Sequence, residues 1–137
     1  MPLHLIKLCV GCDTVEELLA WWRASHVEGQ PWRMRTRQTP RRAMELIDGG
    51  SLYRVYKGLV LSRQRILAVD TVGTGPAARC EVTLEPTVML TLPTPRRAFQ
   101  GWRYLDAKDA PPDLGEAGAG ETMPMELARM LREIGAW

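Results

Sequence analysis

Between Ser51 and Leu92 the chain reads as strand after strand, joined by links too short for the crossover helices that parallel neighbours require. "SLYRVYK" is the first of these strands, Gly58 a turn or bulge, and "LVLSRQRILAVD" a second, longer strand. A period of two places Leu59, Leu61, Arg63, Arg65, Leu67 and Val69 on one side of that strand, so two arginines interrupt an apolar face. Either a bulge near Ser62 shifts the register, or the arginines sit at the mouth of a barrel. Gly73 to Ala78 is a loop. From Arg79 to Leu92 one phase runs throughout, with Cys80, Val82, Leu84, Val88, Leu90 and Leu92 inward and Arg79, Glu81, Thr83, Glu85, Thr87 and Thr91 outward. Pro86 marks either a tight turn between two strands or a kink in one strand of about 45 Å that curls around a barrel.

Helical patterns flank this block. "LHLIKLCV" is a first strand leading into the helix "CDTVEELLAWWRAS", where Asp13 is the expected N-cap with Glu16 three residues on. Val15, Leu18, Leu19 and Trp22 form its core stripe, and Trp21 falls to one side, as a rim residue, a partner contact or, in the simplest reading, a half-buried tryptophan. A short helix is expected from Pro40 to about Asp48, with Thr39 as N-cap and Gly49 and Gly50 as the stop, Ala43, Leu46 and Ile47 facing inward. Residues 106–122 are rich in Pro, Gly, Ala and acids and read as a flexible loop; a last helix is expected over Pro124 to Ile134. The pattern predicts one α+β domain over residues 1–137, containing a curved mixed sheet or barrel with flanking helices.

The net charge of +2 conceals an uneven distribution. Residues 30–65 hold nine bases against two acids, eight of the nine being arginine, whereas residues 106–137 hold seven acids against three bases. Arginine's planar fork suits phosphate or carboxylate better than an ammonium does. The apolar run Leu3 to Val10 is broken by His4 and Lys7, so it reads as neither signal peptide nor membrane span, and a cytoplasmic protein with no membrane partner is expected. Three cysteines without a secretion signal argue for reduced thiols.

"WRMRTRQTPRRAMEL" sets Arg41 and Arg42 on the first turn of the expected short helix and Glu45 and Asp48 on its last. Both ends then carry the wrong sign for the helix dipole, at about 0.3–1 kcal/mol per charge. An Arg41–Glu45 pair at i, i+4 has the weaker orientation and recovers only a few tenths of a kcal/mol or so. A phosphate or carboxylate would instead gain free backbone N–H groups and guanidinium forks. "TPRRA" returns at residues 94–98, with Thr94 and Pro95 able to start a turn. If both copies share a face, Arg41, Arg42, Arg96 and Arg97 form a cationic surface beside Trp32, Tyr53 and Trp102.

Other chemistries find weaker support. "CVGC" at residues 9–12 is a CxxC at a strand-to-helix junction, but Asp13 adds a negative charge beside Cys12 and no flanking Trp or Pro completes a redox motif. A zinc site would have to draw on Cys9, Cys12, Cys80, His4 and His26 without a second paired motif, so no metal is expected. There is no G-x-S-x-G elbow, and "GTG" at 73–75 lacks the lysine and spacing of a phosphate loop. No catalytic residue and no cofactor are expected.

The segments "MPLHLIKLCVGCDTVEELLAWW", "TPRRAMELIDGGSLYRVYKG", "RQRI" and "RRAFQGWRYL" together resemble a family of small alphaproteobacterial proteins classed as a domain of unknown function, over nearly the whole chain. More remotely, the succession of helix, "GGSLYRVYKG" and "LVLSRQRILAVD" is similar to the PUA-like barrels, including the ASCH and EVE groups, many of which bind RNA or modified bases. The ASCH pattern of glycine, lysine, acid and arginine is not matched. The functional expectation is non-catalytic binding of RNA or another phosphate-bearing ligand. Arg35, Arg37, Arg41, Arg42, Arg96 and Arg97 hold phosphates, Arg63 and Arg65 line the cleft, and Trp32, Tyr53 or Trp102 stack. The alternatives are a protein–protein adaptor docking through the acidic tail or a tryptophan helix, and an enzyme acting on a small nucleotide-like substrate.

Overall fold

A computed structural model describes residues 2–9, 11–25, 30–97 and 99–116. The expected helix over Pro124 to Ile134 lies outside them. Strands β1 (Leu3–Leu8), β2 (Trp32–Thr36), β3 (Ser51–Tyr56), β4 (Leu59–Val72), β5 (Arg79–Leu84), β6 (Met89–Pro95), β7 (Trp102–Asp106) and β8 (Asp113–Glu116) join helices α1 (Val15–Ser25) and α2 (Ala43–Ile47). The strands form one mixed sheet in the order β2-β5-β4-β3-β1-β7, with β6 joining β4 and β8 joining β6. β1 runs parallel to β3 and the other pairs are antiparallel. The fold is therefore α+β, and among the described residues the sheet is open, with β2 and β7 at the ends of the order.

Strand β3 is buried along its whole length, because it lies between β1 and β4 with side chains packed on both faces. Lys57 and Gly58 carry it into β4 with positive φ at both positions, as a two-residue type I′ hairpin requires. The main core lies on the inner face. Val15, Leu18 and Trp22 of α1 and Leu46 of α2 pack there against Leu5, Leu52, Leu61, Ile66, Val82 and Leu84. A smaller cluster of Ile6, Tyr53, Val55, Val60 and Leu105 lies on the outer face, with Phe99 against it.

The bulge near Ser62 is present. Val60 opposes Val55 and Ser62 opposes Arg54, so Leu61 is the extra residue. Beyond it, Gln64 and Ile66 turn inward and Arg63 and Arg65 outward, which resolves the interrupted apolar face. A second shift between Ile66 and Ala68 leaves Leu67 exposed. Pro86 marks a kink and not a tight turn: β5 and β6 both run antiparallel to β4, β5 along Ile66–Val72 and β6 along Leu59–Arg63. The inward phase does not survive to Leu92, which is 42% exposed, whereas Thr91 is buried and donates to the Val60 carbonyl at 3.3 Å. A register shift between Leu90 and Thr91 in the β6–β8 ladder accounts for the change.

Three further expectations are corrected. The cap of α1 is Thr14, one residue after Asp13: its Oγ1 accepts the Glu17 N–H at 3.1 Å, and the Glu17 carboxylate accepts the Asp13 N–H at 3.0 Å. Helix α2 starts at Ala43 and not at Pro40, and its Ile47 is exposed. Residues 106–116 are not a loop throughout, since Ala107–Asp109 form a 3₁₀ turn and Asp113–Glu116 are strand β8. The strand β2 falls in the segment read only as arginine-rich; the alternation of Trp32 and Met34 with Arg33 and Arg35 is the signal that finds it.

Candidate functional site

The late start of α2 changes the setting of the first "TPRRA". Thr39 uses its hydroxyl on Thr71 Oγ1 at 3.1 Å, Pro40 is buried, and Arg41 and Arg42 lie in the turn before the helix. Arg42 holds the N-cap position, where its backbone N–H donates to Tyr104 Oη at 3.1 Å. Its guanidinium grips Glu45 through two bonds of 2.5 and 2.7 Å and lies 5.6 Å from the centre of the Tyr104 ring. The pair holds the Glu45 carboxyl below the usual range and the Arg42 guanidinium above its own, chiefly through that side-chain hydrogen bond. The counter-charge is thus local, on Glu45 and from Arg42, not Arg41.

The second "TPRRA" adopts a different conformation. Thr94 and Pro95 end strand β6 and do not start a turn, with Thr94 Oγ1 donating to the Leu92 carbonyl at 2.8 Å. Arg96 donates its backbone N–H to Gly58 and sets its guanidinium 5.9 Å from the Phe99 ring, which packs on the outer-face cluster. Tyr104, under Arg42, packs against the inner-face core. The two copies therefore lie on opposite faces of the sheet.

The three aromatic residues expected to stack are engaged elsewhere. Trp32 is 3% exposed and lies 4.1 Å, ring to ring, on Trp22. Tyr53 is 4% exposed, edge-on to His4 at 5.1 Å. Trp102 donates Nε1 to the Gln38 carbonyl at 2.9 Å and packs edge-on against Tyr104. Each ring completes the core or pins a loop. Trp21 is exposed, beyond the half-buried state expected of it, and its ring lies 6.2 Å from that of Trp22.

Arg63 is paired too. Its Nε and Nη2 donate to both Asp113 carboxylate oxygens, at 2.7 and 2.5 Å, and Nη1 donates to Ser51 Oγ at 3.0 Å. The Asp113 hydrogen bond raises its pKa. It clamps β8 to the sheet in place of lining an open cleft.

What the sheet does bring together is a group of arginines on the outer face of β2, β5 and β4. Register pairs Arg35 with Glu81 and Glu81 with Asp70, and likewise Arg33 with Thr83 and Thr83 with Ala68. Arg33, Arg35 and Arg79 share that face with Arg65, which stands two strand spacings, about 10 Å, across from β2. Three carboxylates, Glu81, Asp70 and Glu85, oppose these four arginines, Glu85 standing across from Arg65, whose carbonyl accepts its N–H at 2.9 Å. Glu81 serves both Arg35 at 3.2 Å and Arg33 at 3.7 Å, its side chain 17% exposed while theirs are 67% and 65% exposed. Arg79 donates to the carbonyls of Pro76 and Ala78. Arg33 and Arg79 lie outside the expected set, although Arg33 shares the phase of Arg35 and Arg79 that of Glu81. Arg37 and Arg41 are exposed in the segment that follows β2, and Arg97 is exposed after β6.

The CVGC thiols are a poor redox centre. Burial pushes Cys9 up to about 12, despite the opposing pull of the Arg54 cation, so its thiol stays protonated at neutral pH. Among the described residues no group of His, Cys, Asp or Glu is arranged to hold a metal ion, and no helix is long and apolar enough to cross a membrane.

Fold and site together define an α+β domain built on an open mixed sheet with an arginine-bearing outer face. Over residues 5–137 the sequence matches the family described as "Protein of unknown function (DUF1489)", and the chain belongs to that family. No curated protein and no solved structure matches it.

Proposed function

We propose that the protein binds RNA or another phosphate-bearing polymer, without catalysis, on the outer face of β2, β5 and β4. The observation that carries this reading is the set of Arg33, Arg35, Arg65 and Arg79 facing solvent, with Arg33 and Arg35 sharing the single carboxylate of Glu81. Exposed guanidinium–carboxylate pairs of this kind are worth about 0–1 kcal/mol, so a phosphate displaces Glu81 from either arginine at little cost. Arg37, directly after β2, extends the same line of charge. With Trp32, Tyr53 and Trp102 engaged in the fold, binding works through phosphates and not through stacked bases, and is weakly selective for sequence. The similarity of "GGSLYRVYKG" and its flanking elements to PUA-like folds points the same way.

A fluorescence titration with short RNAs at several salt concentrations tests the reading. The native protein should lose affinity with a log–log salt slope near 2, from roughly 0.7 per single-strand phosphate contact. Arg33→Ala/Arg35→Ala/Arg65→Ala should remove most of the binding and flatten the slope, while Arg96→Ala/Arg97→Ala should leave both nearly unchanged. Equal, salt-insensitive binding by all three proteins would sink the proposal.

A further inference from the structure

The inner core holds a positive charge that no carboxylate among the described residues neutralises. Arg54 is 8% exposed and lies on β3 between the core residues Leu52 and Tyr56. Its Nη1 donates to Gln64 Oε1, and Gln64 Nε2 donates in turn to the Glu85 carbonyl at 2.9 Å, which locks the amide with its oxygen toward the guanidinium. The guanidinium carbon lies 5.4 Å from the centre of the Trp32 ring. Among the described residues no carboxylate comes within ion-pair distance of Arg54, and its other N–H groups have no hydrogen-bond partner. Trp32 Nε1 is likewise buried without an acceptor.

Buried charges are expected to be paired and buried donors satisfied, because desolvation otherwise goes uncompensated. Here the Trp32 Nε1 donor is left open inside the core, and the guanidinium beside it lacks a counter-ion while its remaining N–H groups are not fully sealed from solvent. Gln64 offers one neutral oxygen, already used. The Cys9 thiol beside Arg54 is protonated and supplies no negative charge. What would complete the arrangement is a group with several acceptor oxygens and a negative charge, small enough to fit beside a ring stack.

We propose that Arg54 and Trp32 Nε1 form an interior site for a small oxyanion group, carried by a phosphate-type or carboxylate ligand. The half-buried Cys9 and Cys12 provide a partly exposed rim beside it. The site lies on the inner face of the sheet, opposite the arginines of β2, β5 and β4, and stands independently of the polymer-binding reading.

The test is thermal unfolding of the full chain in phosphate, sulfate or acetate at ionic strength held constant with chloride, with tryptophan fluorescence followed in parallel. One of these anions should raise Tm saturably and shift the fluorescence as Trp32 Nε1 gains an acceptor. Phosphate or sulfate acting alone identifies a tetrahedral ligand, and acetate acting alone a carboxylate. Arg54→Met should abolish the saturable response. Trp32→Phe, which keeps the ring stack, should weaken it by about fivefold, the equivalent of one hydrogen bond, and keeps the test decisive if Arg54→Met does not fold. Arg33→Ala/Arg35→Ala/Arg65→Ala should respond like the native protein; loss of the response there would move the anion to the outer face and overturn the interior site. A native protein indifferent to all three anions, alongside a destabilised Arg54→Met, would assign the counter-charge to the chain itself and also overturn it.

Discussion

His4 shows how much one side chain decides. It is buried, accepts the Ser51 N–H at Nδ1 over 2.9 Å, and is therefore held as the neutral ring with its proton on Nε2. Burial lowers its pKa most, the Arg63 cation lowers it further, and Asp113 opposes both. In the unfolded chain the ring takes a proton at about pH 6.5, before the folded ring does. Stability is therefore independent of this group above that pH. It falls as pH drops through the window down to the folded pKa, by at most about 1.4 kcal/mol per pH unit, and levels off below it. Urea unfolding between about pH 7.5 and pH 5.5 checks this, and His4→Gln, which keeps an acceptor, should remove the slope attributable to His4. Gly50 is as exacting. A Cβ there would meet the carbonyl oxygens of Leu3 and Leu46 inside contact distance, while its own N–H and C=O are bonded to Leu46 and Ile66. Gly50→Ala should cost about 3 kcal/mol in the urea midpoint. Gly49 has positive φ, and a Cβ there would meet only Pro2 Cβ at an ordinary 3.8 Å, so Gly49→Asn should cost far less.

At the scale of elements, periodicity alone locates most of the inner core: Val15, Leu18, Trp22, Leu61, Cys80, Val82, Leu84 and Leu90 are buried as their spacing implies. What periodicity misses is set by partners distant in sequence. Thr39 and Pro40 have the composition of a helix start, yet Thr71 takes the threonine hydroxyl and Tyr104 takes the Arg42 N–H, and the helix begins three residues later. The alternation along β4 is interrupted by bulges at Leu61 and Leu67 that a strict period of two cannot contain. The arginines of the candidate site were partly legible as a charge run. Which of them share a face follows from the β2–β5–β4 register, and that depends on pairing across more than 40 residues. With only five residues, α2 depends on docking: Leu46→Ala should cost about 3 kcal/mol by chemical unfolding, whereas Glu45→Ala, on the solvent side, should leave the midpoint nearly unmoved.

Across the whole molecule, stability and the candidate binding surface are separated along the sheet. β3 and the first half of β4 pair on both edges and are buried, so their amides should exchange with solvent only by global unfolding. β2 ends the strand order, pairs with β5 among the described residues, and carries Arg33 and Arg35 outward; its amides should exchange through smaller openings. β7 ends the opposite side, next to β1, with Arg103 held by the carbonyls of Gln100 and Trp102. Hydrogen exchange read by mass spectrometry thus gives a map in which the two ends report separately on the two groups of arginines at opposite ends of the outer face. Adding short RNA at low salt should slow exchange in β2 and β5 and leave β7 unchanged, since phosphates bridging Arg33, Arg35 and Arg65 tie the edge strand to β4. Protection confined to β7 and the segment after β6 would instead assign the polyanion to Arg96, Arg97 and Arg103, and the outer face of β2, β5 and β4 would lose its assigned role.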